Sequence, residues 1–165
     1  MEKYKTFFPR FVALLIDTFI MMPIVVFDDW FRKAEFPDVF FYFWIPLSSL
    51  VAPVYTILMH GFYGQTLGKM WMNVKVLDVS EKPMTMRQSF LRQLPQVIFN
   101  ICVIVLSIMA LPFDLQAPRV ERAIGIYSIL VTVWGMTDIF VFLSNEKRRA
   151  LHDFIGGTVA VKTNI

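Results

Sequence analysis

Four long apolar segments constrain the fold of this chain more than any other feature of the sequence. They are residues 7–27, 39–59, 94–111 and 123–143. The second and third carry no charged residue, the fourth carries only Asp138, and the first carries only Arg10 and Asp17. A helix of about 20 apolar residues crosses the roughly 30 Å hydrocarbon core of a bilayer. The sequence therefore predicts an all-α integral membrane fold with four transmembrane helices in a single domain, residues 1–165.

The basic residues predict the orientation of these helices. Most of the 16 lysines and arginines precede the first segment, lie in the connection 60–93, or follow the fourth segment in the tail 144–165. Basic residues concentrate on the cytoplasmic side of membrane proteins, so we expect both termini and the connection to be cytoplasmic. This topology explains the net charge of +3. No basic folded domain is predicted, so nucleic-acid binding is not expected.

The cytoplasmic connection and tail carry patterns of their own. Residues 71–79 partly alternate between apolar and polar side chains, which is typical of a short strand. The tail segment 157–164 also has strand composition, so we expect it to pair with 74–77 in a small cytoplasmic β element. Residues 85–94 have apolar side chains at a spacing of four, which indicates an amphipathic interfacial helix with Thr85 as its N-cap.

Polar residues inside the apolar segments are the first candidates for a functional site. A charged side chain at membrane depth costs roughly 2.5–3.5 kcal/mol, so such residues usually face the protein interior or water. Asp17 lies about 15 Å along the first helix, and Arg10 lies two turns earlier on the same face. Counted from the cytoplasmic side, Asn100 and Asp138 reach a similar depth. We therefore predict one polar cluster in the inner leaflet, formed by Asp17, Asn100 and Asp138.

The role of this cluster has two readings. A carboxyl that exchanges a proton for a cation is needed in a transport site, and Asp17 fits that role. Asp17 also fits a permanent structural partner of Arg10 or of another basic residue. Asn100 and Asp138 fit a structural role as polar contacts between helices.

Three motifs, taken together, resemble a known family. They are the pair Arg10 and Asp17, "GQTLGK" (64–69), and "KRRALHDFIGGTVAV" (147–161). The chain resembles the RDD family of small bacterial membrane proteins, which is named for one arginine and two aspartates. The resemblance assigns that trio to Arg10, Asp17 and Asp153. It also assigns signature positions to Gly64, Thr66, Gly68, Lys69, Arg92, Arg149, His152, Gly157 and Thr158.

The resemblance implies a multi-pass protein of the bacterial cytoplasmic membrane, with cation/proton exchange suggested for some members. "GQTLGK" is not a phosphate-binding P-loop, because Met70 follows Lys69 where serine or threonine is needed. We interpret it as a cytoplasmic turn whose Lys69 meets lipid headgroups or a carboxylate. Asp153 is expected to dock the tail against Arg10 or Lys69.

Two functions fit these observations. The first is a small membrane transporter that exchanges Na⁺, K⁺ or Li⁺ for H⁺ through buried carboxylates, in the lipid bilayer and as a homo-oligomer. The second is a membrane scaffold that does not transport and binds a partner protein through its cytoplasmic connection and tail. An enzyme is not expected, because no serine or cysteine nucleophile accompanies "LHD" (151–153). No cofactor and no metal site is expected.

Overall fold

A computed structural model describes residues 2–110 and 118–163. After a short 3-10 helix, Glu2–Tyr4, the elements are α1 (Phe7–Lys33), α2 (Asp38–Tyr63), α3 (Leu67–Trp71), β1 (Val74–Asp78), α4 (Met86–Ala110), α5 (Pro118–Ser144), α6 (Leu151–Ile155) and β2 (Thr158–Lys162). The four long helices, α1, α2, α4 and α5, are each long and apolar enough to cross a membrane. The all-helical core and its four spans are therefore as the hydropathy of the sequence predicts.

The long helices extend beyond the apolar segments at most ends. The largest extension concerns residues 85–94, which were expected to form an interfacial helix leading into the third span and which continue into it without a break as the first turns of α4. Thr85 caps this helix, because its hydroxyl accepts from the N–H of Gln88 while the Gln88 side chain accepts from the N–H of Thr85. The predicted end of the third span at Leu111 lies outside the described residues.

The two strands pair with each other, as expected from the sequence, and the pairing is antiparallel. Their register runs from Val74 opposite Lys162 to Asp78 opposite Thr158. The sheet has its own small apolar core, in which Val74, Val76 and Ala160 are fully buried. Short strands of this kind need such a core, because a two-stranded sheet is marginal by itself in water.

The sheet lies at one end of the helix bundle, which we call the sheet end. Glycine 64, just after α2, accepts a backbone hydrogen bond from Val76 in β1, and Lys3 forms an ion pair with Glu81 after β1. The start of the chain and its tail therefore lie on the same side of the bundle. This is the arrangement that an even number of spans requires.

The opposite end of the bundle, which we call the far end, is closed by aromatic side chains. Phe31 of α1 packs against Phe40 and Trp44 of α2, with ring centroids 4.7 and 4.8 Å apart. The indole N–H of Trp44 donates to the carboxylate of Asp28. This cluster joins α1 to α2 at the far end, while much of the lateral surface of the helices exposes apolar side chains suited to lipid.

The sheet core gives a first testable prediction. We expect Val76→Ala to weaken the sheet by about 1–3 kcal/mol, because the Val76 side chain is fully buried. Trypsin should then cleave faster within residues 147–149, which lie in the tail just before α6. Val79→Ala is the matched control, because Val79 is 38% exposed. Equal cleavage of the two variants would contradict the role assigned to the sheet.

Candidate functional site

Asp153 is the fully buried centre of the polar groups at the sheet end. Its carboxylate lies 2.8 Å from Nη1 of Arg10 in α1 and 2.9 Å from Nη2 of Arg92 in α4. The backbone N–H of Ala150 donates to the same carboxylate at 3.0 Å. Asp153 therefore docks the tail on two long helices at once, and of the two partners expected for it the structure shows Arg10.

The protonation of Asp153 follows from these neighbours. Burial alone raises the pKa of a carboxyl group, but the guanidinium groups of Arg10 and Arg92 hold the pKa of Asp153 well below its ordinary value. The carboxylate is therefore charged at neutral pH, and it balances part of the positive charge of the two arginines.

His152, the residue before Asp153, connects the tail to α5. Its Nδ1 lies 3.0 Å from the Asp138 carboxylate, and its backbone N–H donates to Asp138 at 3.1 Å. A carboxylate only accepts, so Nδ1 of His152 carries the hydrogen and Nε2 is free to accept from Arg92 at 3.1 Å. Asp138 thus joins the same network as Asp153 through His152 and Arg92.

Asp17 lies apart from this network and holds the segment 64–71 against α1. Its carboxylate accepts from the hydroxyl of Tyr55 at 3.0 Å, from the hydroxyl of Thr66 at 2.6 Å and from the N–H of Gly68 at 2.9 Å. Within residues 2–110 and 118–163, no ion pair joins Asp17 to Arg10. Of the alternatives considered for Asp17, a pairing with Arg10 is not the one found, because Arg10 pairs with Asp153 and the donors to Asp17 are uncharged.

The glycines of "GQTLGK" allow this close docking. A Cβ atom on Gly68 would lie 2.2 Å from the backbone oxygen of Ala13, so α3 packs directly on the backbone of α1. Gly64 ends α2 in the left-handed conformation, with φ of 74°. The motif is therefore a helix C-cap followed by the start of the short helix α3, so residues 67–69 are helical and not part of a turn.

Lys69 of the same motif faces the protein interior. Its Nζ lies 2.8 Å from Nε2 of His60, whose Nδ1 lies 2.8 Å from the backbone oxygen of Thr56. Burial lowers the pKa of Lys69 well below its ordinary value, and the charges of Arg92 and Arg10 lower it further. Lys69 was expected to meet a lipid headgroup or a carboxylate, but its hydrogen-bond partner among the described residues is His60.

A cavity of about 730 Å³ lies between the long helices and collects most of these groups. One face of α1 lines it with Arg10, Leu14, Asp17, Met21, Ile24 and Asp28. Asp28 lies 18 positions after Arg10, which corresponds to about 27 Å of helix, close to the thickness of the hydrocarbon core. The cavity therefore extends from the sheet end almost to the far end.

The three residues of the predicted polar cluster share one cavity but have different contacts. Asp17, Asn100 and Asp138 all line this cavity. Each of them nevertheless has a separate partner: the Asn100 side chain donates to the backbone oxygen of Ser49 at 3.1 Å, which joins α4 to α2. Asp138 meets His152 and Asp17 meets the segment 64–71, so the three do not contact one another.

Several groups were assigned no site role from the sequence. His60 and Asp28 line the cavity, and Tyr55 donates to Asp17. Their positions on α1 and α2 give a weak signal, since His60 and Thr56 are four residues apart on one helical face.

Arg149 lies outside the cavity lining: its Nε donates to the Thr158 backbone oxygen at 2.8 Å and orders the tail. Among residues 2–110 and 118–163, no cluster of metal-ligating side chains is present.

Four helices long and apolar enough to cross a membrane, around a cavity with charged side chains in its wall, are typical of a multi-pass membrane protein. The family model of the RDD family matches residues 4–157, nearly the whole chain, and the chain belongs to this family. Comparison with curated proteins finds no match. Comparison with solved structures finds none either.

The docking of α3 predicts a strong effect at Gly68. We expect Gly68→Ala to separate α3 from α1 and weaken the hydrogen bonds to Asp17, because the added methyl group collides with the Ala13 backbone. The thermal midpoint of the purified protein should fall by several degrees. Gly125→Ala in α5 is the matched control, because its Cβ meets nothing within 4 Å. A Gly68→Ala protein as stable as Gly125→Ala would contradict the docking role.

The buried ion pairs of Asp153 predict a dependence on pH. Because its folded pKa is lowered, Asp153 stabilises the fold fully above about pH 4, and this contribution is lost as the pH falls further. Asp153→Asn should cost about 3–5 kcal/mol at pH 7, because it leaves two buried arginines without a counter-charge. The difference between the thermal midpoints of wild type and variant should therefore be smaller at pH 3 than at pH 7, and it should shrink further as the pH falls toward the lowered folded pKa.

The control for this measurement is an exposed ion pair. Asp29 pairs with Lys33 one turn away in α1, with side chains 62% and 75% exposed. Such a pair contributes about 0–1 kcal/mol, so Asp29→Asn should leave the midpoint nearly unchanged at both pH values. A wild-type midpoint that stays parallel to that of Asp153→Asn down to pH 3 would exclude the proposed role of the Asp153 charge.

Proposed function

We propose that this protein is a small membrane transporter whose substrate path is the polar cavity between its four long helices. The observation that carries the proposal is the length of the cavity, which follows one face of α1 from Arg10 to Asp28. Carboxylate, hydroxyl and basic side chains along the wall of a cavity of about bilayer thickness have no role in lipid-facing packing, because hydrocarbon offers polar groups no partners. It suits a small ion or polar solute that crosses the membrane.

Monovalent cation/proton exchange is the reaction that the lining favours. The carboxylates of Asp17, Asp28 and Asp138 line the cavity, near the hydroxyl groups of Thr56 and Thr66. Oxygen ligands of this kind suit hard cations such as Na⁺, K⁺ and Li⁺. A carboxylate binds either a cation or a proton, so one group that alternates between them couples the two fluxes. Asp17 is the central candidate, because it lies between the two ends of the cavity.

The topology proposed for this transporter follows from the basic residues. Lysines and arginines are concentrated at the sheet end, so we assign that end to the cytoplasm and the far end to the opposite side. The membrane proposed is the bacterial cytoplasmic membrane. Four helices make a thin wall around a cavity of about 730 Å³, so the proposal includes a homo-oligomer.

A scaffold without transport is the second candidate, and the contacts of Asp17 favour it. Asp17 holds the segment 64–71 and Asp153 holds the tail, so both carboxylates have structural roles. The sheet end that they assemble would then present a docking surface to a partner protein. Under this alternative the cavity conducts nothing.

Ion flux in proteoliposomes distinguishes the two candidates. The purified protein is reconstituted, a pH gradient is imposed, and the internal pH is followed after addition of Na⁺, K⁺ or Li⁺. Wild type should move protons only when a cation is present, and Asp17→Asn should lose this response at least tenfold. No response to any of the three cations from correctly folded wild type would rule out the exchanger.

A second pair of variants tests the path without touching Asp17. Ala52 of α2 lines the cavity, whereas its neighbour Val51 is exposed on the helix and is not part of the lining. Ala52→Phe should block the flux, because the ring fills the cavity, and Val51→Phe should retain it. Equal flux through both variants would place the path elsewhere.

A further inference from the structure

Two buried arginines in the cavity wall carry hydrogen-bond donors that the protein does not use. Arg92 has a side chain that is 3% exposed, and Arg10 one that is 13% exposed. The Nε and Nη2 atoms of Arg10 and the Nε and Nη1 atoms of Arg92 have no hydrogen-bond partner among the described residues. Both arginines line the cavity. Unpaired donors on a buried charged group are costly, so an acceptor is expected beside them.

Positive charge exceeds negative charge in direct contact with these donors, because two guanidinium groups face the one carboxylate of Asp153. Asp153 is in direct contact with both arginines: it accepts from Nη1 of Arg10 and lies 2.9 Å from Nη2 of Arg92, which donates to His152. The other carboxylates of the cavity wall are held by different groups: Asp17 by hydroxyl and backbone donors, and Asp138 by His152. Two guanidinium groups thus share one directly paired carboxylate, and their remaining edges are free.

Lys69 adds a third basic group to the same end of the cavity. Its Nζ contacts the neutral edge of His60, and no carboxylate among the described residues forms an ion pair with it. Burial lowers the pKa of Lys69 most, and the positive charges of Arg92 and Arg10 lower it further, because like charges repel. A ligand with negative charge would relieve this repulsion.

We propose that Arg10, Arg92 and Lys69 form a binding site for a small oxyanion of the phosphate class at the sheet end of the cavity. Guanidinium groups present several N–H donors in a fixed plane that matches the oxygens of phosphate, and an ammonium group adds a point charge. The cavity has room for such a ligand. The site requires binding alone and does not depend on the ion exchange proposed above.

Equilibrium dialysis with radiolabelled inorganic phosphate tests the site. The full chain is purified in a phosphate-free, uncharged detergent, and binding is measured at constant ionic strength. Wild type should bind phosphate saturably. Lys69→Gln should bind at least tenfold more weakly, whereas Lys82→Gln, which removes the same charge from an exposed position, should bind as wild type does.

A second variant keeps the test decisive if Lys69→Gln does not fold. Arg10→Lys retains a positive charge opposite Asp153 but removes the donors Nε and Nη2. It should also weaken phosphate binding at least tenfold while the protein remains monodisperse on size exclusion. Phosphate that binds equally to wild type, Lys69→Gln and Arg10→Lys lies at another site, and this result would overturn the proposal.

A short-chain lipid distinguishes a phosphate group on a lipid headgroup from free inorganic phosphate as the ligand of this site. Dihexanoyl phosphatidylglycerol is titrated into the same three proteins. Binding of this lipid that depends on Lys69 and Arg10, without binding of inorganic phosphate, supports the site and identifies a lipid headgroup as its ligand. Binding of neither probe would mean that water satisfies the arginines, and the proposal would fail.

Discussion

The contact of Asp153 with Arg10 and Arg92 is the interaction on which the sheet end depends. It joins the tail to the beginnings of α1 and α4, and the strand β2 begins only five residues later. A buried carboxylate and two buried guanidinium groups are stable only together, because any one of them alone would be an uncompensated charge in a medium of low dielectric constant. The position of the sheet therefore follows from an ion pair and not from apolar packing alone.

The face of α1 combines two structural contacts with the wall of the cavity. Arg10 forms an ion pair with the tail, and Asp17 accepts hydrogen bonds from the segment 64–71. Other residues of the same face, such as Leu14 and Met21, line the cavity. A cation or proton that binds Asp17 would compete with the hydroxyl of Thr66 and the N–H of Gly68 for the same carboxylate. Occupancy of the cavity and the docking of α3 are thus linked through one side chain, which connects the transport and the structural readings of this residue.

The fold was predictable from the sequence to the extent that local patterns decide it. Hydropathy identified four spans, and alternation in 71–79 together with the composition of the tail identified two strands that pair. Thr85 was identified as the N-cap, but hydropathy placed the start of the third span at Leu94, because it marks where a helix becomes apolar and not where its hydrogen bonds begin. The candidate site was predictable only as a set of polar positions. Arg10 and Asp17 share a helical face, but seven residues separate them by about 10 Å along the axis, so each was free to take another partner.

The sequence by itself determined that this chain forms four apolar helices, since a backbone in hydrocarbon must satisfy its own hydrogen bonds and an α-helix does so locally. It also determined which polar residues had to find partners, because charged groups at membrane depth are costly. Only the tertiary structure decided which partners they found. Arg10 and Asp153 are 143 positions apart, and Asp17 and Thr66 are 49 positions apart. Contacts between residues so far apart in the sequence depend on how the helices and the tail pack together, and no local periodicity of the sequence predicts them.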